Sequence, residues 1–233
     1  MSGTLYGVGL GPGAADLLTL RAARLIENAK VIAYPALVGG SSFARSIAED
    51  LIPAGVQEIV MEVPMTTERK PAQDAYDKGA AEIAAALEAG EDVVCLCEGD
   101  PFFYGSFMYL YARLSPKFDV QIVPGVTSIT ACAAAAGRPL VARNERLTVL
   151  PGPLPEDELR ARIEGAESVA IMKVGRHLAK IRGVIVDLGF EAQATYIERA
   201  SLDAQVVLPL SEAPESAPYF SMILLTKGAD PWL

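Results

Sequence analysis

The sequence predicts an α/β protein of two domains, the first built on a mainly parallel sheet and the second on a mixed one. Three observations predict it. Short apolar runs alternate with helical patterns through the first half of the chain. In the last third, three apolar runs follow one another with little helix between them, as antiparallel or mixed sheets allow. Hydrophobic residues make up 51% and charged residues 21% of 233 residues, which supplies a core and leaves too little charge for disorder. The expected division is an N-terminal α/β domain over 1–124 and a C-terminal mixed α/β domain over 125–233.

In the first domain TLYGV (4–8), KVIAY (30–34), EIVMEV (58–63), DVVCLC (92–97) and VQIV (120–123) read as strands. Helices are expected between them. Asp16 can cap a helix over 17–29, Ser42 precedes one over 43–51, Gly90 stops one over 73–89, and an aromatic helix covers 104–114. The small-residue run TSITACAAAAG (127–137) is a helix able to pack closely, and the polar stretch GRPLVARNE follows it. LTVLPG (147–152), SVAIMKVG (168–175), ATYIERAS (194–201), QVVLPLS (205–211) and YFSMILLTKG (219–228) supply the later strands, with a helix over 177–188. SEAPESAP (211–218) is a polar, proline-rich loop.

The formal net charge is −9 with lysine and arginine scattered, so the basic footprint of a nucleic-acid binder is missing. No apolar run reaches about 18 residues without a charge or a breaker, and MSGTLYGVGLG lacks a basic region leading into an apolar stretch. No membrane association is expected, and the expected location is the cytoplasm. His177 is the only histidine, and Cys95, Cys97 and Cys132 are irregularly spaced. That leaves little to build a zinc site, a disulfide framework or a Ser-His-Asp triad, and no metal is expected. Cys95 and Cys97, two apart, share one face of a strand and read as inert core.

GVGLGPGAADLLTL (7–20) follows a strand and precedes a helix, and its Gly9, Gly11 and Ala14 match the permissive form of the dinucleotide fingerprint. Two details oppose that use. Pro12 has no N–H to offer a phosphate. The second strand ends in Ala33, Tyr34 and Pro35, with no acid to hold a ribose. A tight turn that leaves room for a neighbouring ligand is the better use of these glycines. CEGDPFFYGSF (97–107) ends the fourth strand. There Gly99 lets the chain turn, Pro101 fixes the next step, and Asp100 either meets a polar ligand or caps the following helix. In the second case Phe102, Phe103, Tyr104 and Phe107 would be core aromatics.

With VPGVTSI (123–129), VAIMKV (169–174) and YIERAS (196–201), these segments run in order over nearly the whole chain. Together they resemble the S-adenosylmethionine-dependent tetrapyrrole methyltransferases of cobalamin and sirohaem synthesis. The resemblance implies two α/β domains with a cleft between them, S-adenosylmethionine folded in that cleft, S-adenosylhomocysteine as product, and a homodimer. Pro12 matches the loop proline that touches the cofactor. Gly99, Asp100 and Phe103 match the GDP-loop positions, Thr127 and Ser128 the pair after the PG turn, Met172 the methionine of the IMKV strand, and Ala200 the small residue of the ERAS turn. Thr226 lies on the last strand, where relatives often approach the adenine. Within the family EGDPFFYGSFMYLYARL and PGVTSITACAAAAGRPL most resemble the members that methylate carbon 20 of precorrin-2 or of cobalt-factor II, and this resemblance implies that acceptor. Members that act on uroporphyrinogen III carry Asp where Pro35 stands and Gly where Glu98 stands, which weakens that reading. A sister enzyme acting on another corrin carbon and a non-catalytic binding protein stay open.

Methyl transfer from a sulfonium needs the acceptor carbon held in line with the S–CH₃ bond, and positioning supplies much of the barrier reduction. A base serves only the later loss of a proton. Glu98, Tyr104 and Tyr6 are weak candidates, and no catalytic residue is assigned. A polyanionic tetrapyrrole on an acidic protein requires local cations, for which Arg138, Arg143 and Arg146 are the candidates, the alternative being an ordinary solvated loop.

Overall fold

The computed structural model describes residues 2–64 and 69–228. The chain divides into two compact units, Met1–Thr127 and Ser128–Leu233.

The first unit runs β1 (Leu5–Gly9), α1 (Leu20–Glu27), β2 (Val31–Leu37), α2 (Phe43–Ile47), β3 (Gln57–Val63), α3 (Arg69–Glu88), β4 (Val93–Cys97), α4 (Phe107–Leu114) and β5 (Val120–Val123). Its five strands lie in the order β3-β2-β4-β1-β5, and all pair in parallel. Strands of this kind are covered on both faces, which is why β4 is apolar and buried at every position. Ala22, Ile26, Ala44 and Ile47 of α1 and α2 pack on one face. Tyr76, Ile83, Leu87, Phe107 and Leu110 of α3 and α4 pack on the other. Cys95 and Cys97 are buried free thiols in β4.

Three local expectations are corrected. Asp16 lies in a short 3-10 turn over Ala15–Leu17, and the cap of α1 is Thr19, whose Oγ1 accepts from the Ala22 N–H at 3.1 Å. The aromatic helix begins at Phe107 rather than Tyr104, because Tyr104 has a left-handed φ of 56°. Pro35 lies inside β2. β4 pairs with β2 only over Val31–Ala33, so at Pro35 the strand has one neighbour and the missing N–H is tolerated.

The second unit runs α5 (Ser128–Ala135), β6 (Leu147–Pro151), α6 (Glu156–Glu164), β7 (Ser168–Met172), α7 (Leu178–Asp187), β8 (Ala194–Glu198), β9 (Val206–Pro209) and β10 (Ser221–Thr226). Its order is β6-β7-β10-β8-β9, with β6 and β7 parallel and the remaining pairs antiparallel. The core joins Val169, Ile171, Tyr196, Ile223 and Leu225 to α6 and α7. α6 is not among the expected helices. Only Leu159 and Ile163 of its nine residues are buried, four apart on one face, and each contributes about 1.5–3 kcal/mol by burial. Among the described residues no helix is long and apolar enough to cross a membrane.

Candidate functional site

β1 and β4 are neighbours, yet the chain leaves β1 toward α1 on one face and β4 toward α4 on the other. Diverging exits from adjacent parallel strands open a crevice at their carboxyl ends, the usual ligand position in such sheets. The loops after β1, β4 and β5 meet there. The Gly99 N–H donates to the Gly11 carbonyl at 2.7 Å and the Gly11 N–H to the Gly99 carbonyl at 3.2 Å, while the Leu10 N–H donates to the Cys97 carbonyl at 2.8 Å. A Cβ on Gly9 would stand 2.5 Å from the Gly125 nitrogen and 2.8 Å from the Gly99 oxygen. Gly9 and Gly125 are therefore required by backbone packed on backbone, and Gly11 and Gly99 by φ of 77° and 64°. The amides of Leu10 and Gly11 are already bonded and Pro12 has none, so these three positions have no N–H to offer a phosphate.

Asp100 ties two of these loops together. Its Oδ1 accepts from the Phe102 N–H at 2.9 Å and its Oδ2 from the Gly125 N–H at 3.1 Å. It caps no helix, since α4 starts seven residues later. Among the aromatics of this loop only Phe107 is core. Phe102 and Tyr104 are 47% and 42% exposed, and the Phe103 and Tyr104 rings meet edge to face at 5.3 Å between centroids. Glu98 is exposed, but protein atoms crowd its carboxyl and raise its pKa, opposed by a backbone contact from Ala44. Thr127 and Ser128 stand at the start of α5.

In the second unit the carboxyl ends of β7 and β8 lie beside the start of β10. Met172 is paired with Met222, and Glu198 with Ser221. Met172 and Ala200 are thus at one edge of the sheet. Thr226 is paired with Ser168, four residues further along and about 13 Å away, at the other edge. Arg146 is also at that amino edge. It donates to Glu167 through Nε at 3.1 Å and Nη2 at 2.9 Å, and Glu167 holds its guanidinium pKa above the ordinary value. Arg138 donates to Thr195 Oγ1 at 2.8 Å, and Arg143 is exposed with φ 46°.

Sequence reasoning did not single out one constellation at the carboxyl edge. The carboxylate of Glu198 is buried; Oε1 accepts from the Tyr196 hydroxyl at 2.5 Å and Oε2 from Arg199 Nη1 at 3.2 Å. Burial first, then the Glu198 hydrogen bond, raises the Tyr196 pKa. The available signal was a carboxylate closing the apolar run ATYIE. Among the described residues no group of three or more His, Cys, Asp or Glu is arranged to hold a metal ion.

The chain belongs to the tetrapyrrole (corrin/porphyrin) methylases, whose family model matches residues 4–214. It is similar to particular members over nearly all its length. It is 41% identical to precorrin-2 C(20)-methyltransferase of a Sinorhizobium species, covering 98% of this chain and 97% of that protein. It is 32% identical to cobalt-precorrin-2 C(20)-methyltransferase of Salmonella typhimurium, covering 97% and 98%. It is 43% identical to cobalamin biosynthesis protein CobIJ of Mycobacterium tuberculosis over 97% of this chain, which spans only 46% of that relative. Among solved structures, cobalt precorrin-4 methyltransferase CbiF superposes with a TM-score of 0.73 at 22% identity over 96% of this chain and 94% of that one. Uroporphyrin-III C-methyltransferase from Thermus thermophilus, complexed with S-adenosylhomocysteine, does so with 0.68 at 27% identity over 95% and 97%.

Proposed function

We propose that this chain transfers the methyl group of S-adenosylmethionine to carbon 20 of a precorrin-2-type tetrapyrrole in cobalamin synthesis. The structural observation that carries the reading is the switch point at the carboxyl ends of β1 and β4, where the Leu10, Gly11 and Gly99 amides are taken up by backbone carbonyls. S-adenosylmethionine has no phosphate and needs no amide cradle, so a switch point with these amides taken up suits it better than a dinucleotide. The full-length similarity to two C(20)-methyltransferases and the S-adenosylhomocysteine complex of a structural relative support it.

Pro12, Gly99, Asp100, Phe103 and Thr127 are the proposed donor contacts in the first unit. Ser128, Met172 and Ala200 in the second unit rest on the family resemblance alone, and Thr226 would serve only a ligand reaching the opposite edge. When bound, the donor supplies an electrophilic methyl on a sulfonium. The chain's own part is to hold the acceptor carbon in line with the S–CH₃ bond; a new C–C bond forms, the sulfur keeps the electron pair, and the carbon then loses its proton. Asp100 acts by fixing the loop that carries Gly99 and Phe103 against Gly125. No base is assigned to the proton. Arg138, Arg143 and Arg146 are candidate acceptor anchors, Arg146 with Nε and Nη2 already on Glu167 and its other N–H groups left over. A homodimer is a further inference from the resemblance, and a cytoplasmic location one from the hydropathy pattern.

The deciding experiment is incubation with precorrin-2 and methyl-labelled donor, followed by NMR of the product. Label on carbon 20 supports the proposal; label on another carbon makes this a sister enzyme, and binding without transfer makes it a carrier. Parallel reactions with metal-free and cobalt-containing acceptor separate the two substrates.

A further inference from the structure

We propose that the carboxyl edge of the second sheet holds the carboxylates of the acceptor through Lys173, Arg176 and Arg199, beside the exposed ring pair Tyr219 and Phe220. The inference rests on the tetrapyrrole reading and adds to it the residues that meet the acceptor.

Lys173 and Arg176 follow β7, and Arg199 follows β8. The start of β10 binds both loops: the Gly175 N–H donates to Ser221 Oγ at 3.3 Å and the Arg199 N–H to the Phe220 carbonyl at 2.9 Å. With β7, β10 and β8 adjacent, the Lys173 and Arg199 backbones emerge within about 10 Å of each other. On a chain of net charge −9, residues 173–182 carry Lys173, Arg176, His177, Lys180 and Arg182 and no acid. Lys180 and Arg182 are used by the fold, Lys180 on the Gly152 and Leu154 carbonyls and Arg182 on those of Ala213 and Pro214. Arg176 is exposed, and its Nε lies 3.4 Å from His177 Nε2. Burial first, and then Lys180 and Arg176, hold the His177 pKa below its ordinary value.

The backbone at this edge is strained. Lys173, Arg199 and Ser201 have φ of 58°, 46° and 71°, a region that residues with a Cβ seldom occupy and that clusters at ligand sites. Arg199 is aimed as well as strained, because the buried Glu198 that accepts one of its N–H groups is itself held by Tyr196. The remaining N–H groups of its exposed fork suit a carboxylate. Tyr219 and Phe220, 57% and 40% exposed, meet edge to face at 5.2 Å. Cations beside exposed rings suit a flat, apolar macrocycle bearing carboxylates. By contrast Arg146 is committed to Glu167 at the opposite edge.

The test titrates uroporphyrin, a stable macrocycle with a full set of carboxylates, against the full chain and against Arg176→Gln, Arg199→Gln and Lys173→Gln, at low and physiological salt. Arg162→Gln, a surface residue paired with Glu158, controls for net charge. Arg176→Gln and Arg199→Gln are expected to weaken uroporphyrin binding about tenfold each and to flatten its salt dependence, with S-adenosylhomocysteine affinity unchanged by calorimetry. Should Arg199→Gln fail to fold, Arg176→Gln carries the test on an exposed side chain. Unchanged uroporphyrin affinity in folded variants, an equal loss in Arg162→Gln, or no binding by the unaltered chain overturns the inference. If uroporphyrin binding falls as expected but the unaltered chain methylates no precorrin-2, the site stands and the proposed activity falls.

Discussion

Gly11 and Gly99 bond to each other in both directions, N–H to carbonyl at 2.7 and 3.2 Å, and so join the loop after β1 to the loop after β4. This bridge is antiparallel although the strands that feed it are parallel. The two chains must therefore reverse relative to each other just past the sheet. The reversal sets Gly9 and Gly125 against the same Gly99 carbonyl and fixes the floor of the crevice.

Gly125→Ala is expected to destabilise the protein by about 1–3 kcal/mol, the range for overpacking a site that cannot relax, because its Cβ would stand 2.0 Å from the Gly99 oxygen. Gly183→Ala is the contrast. It is exposed within α7, a Cβ there meets nothing within 4 Å, and relief of the glycine helix penalty should stabilise by about 1 kcal/mol. Urea denaturation of both variants checks the opposite signs.

Asp100→Ala leaves the Phe102 and Gly125 amides without their acceptor and should cost about 1–3 kcal/mol, together with weaker S-adenosylhomocysteine binding by calorimetry. Asp100→Asn retains one carbonyl acceptor and should fall between. A folded Asp100→Ala protein with unchanged affinity would remove this brace from the donor site.

The strands were legible because a parallel sheet buried on both faces demands unbroken apolar runs, and DVVCLC can hardly be anything else. The start of α1 was not, since Asp16 and Thr19 are both capping types three residues apart and only the φ and ψ of the loop decide between them. α6 was hidden by its surface, which is nearly all charge around Leu159 and Ile163. In the site, Asp100 was visible as an acid at a strand end. Its partner Gly125 lies 25 residues on, and nothing local encodes that contact. Order in the chain also does not tell at which edge of a sheet a residue falls: Arg146 precedes β6 and so stands at the amino edge, opposite to Met172 and Ala200.

Native thiol chemistry should be slow. Burial pushes Cys132 up to about 12 and raises Cys97 well above its ordinary value, so neither offers thiolate near neutrality. An aromatic disulfide reagent should label no cysteine rapidly in the folded protein and all three in denaturant. Rapid labelling of the native chain would contradict the packing of β4 or α5.

The triad of Tyr34, Glu58 and Arg45 makes acid and alkaline stability separable. Arg45 donates to both Glu58 oxygens, at 2.9 and 3.1 Å, and the Tyr34 hydroxyl donates to Glu58 Oε2. The Arg45 hydrogen bond, then that of Tyr34, lower the Glu58 pKa below the ordinary glutamate value. A depressed carboxylate gives stability that is present above its unfolded pKa, about 4.3, and lost as pH falls through the lower folded value. Burial first, and then Glu58, push Tyr34 up to about 12. A raised group gives stability that is present below its unfolded pKa, about 10, and lost as pH rises toward the folded value. The urea midpoint of the unaltered protein should therefore fall on both sides of a plateau. Glu58→Gln should lose stability on the plateau and show a shallower decline below pH about 4.3. Tyr34→Phe should leave most of the acid limb and flatten the alkaline one between about 10 and 12. Parallel curves for all three proteins would show that the triad carries no pH-dependent stability.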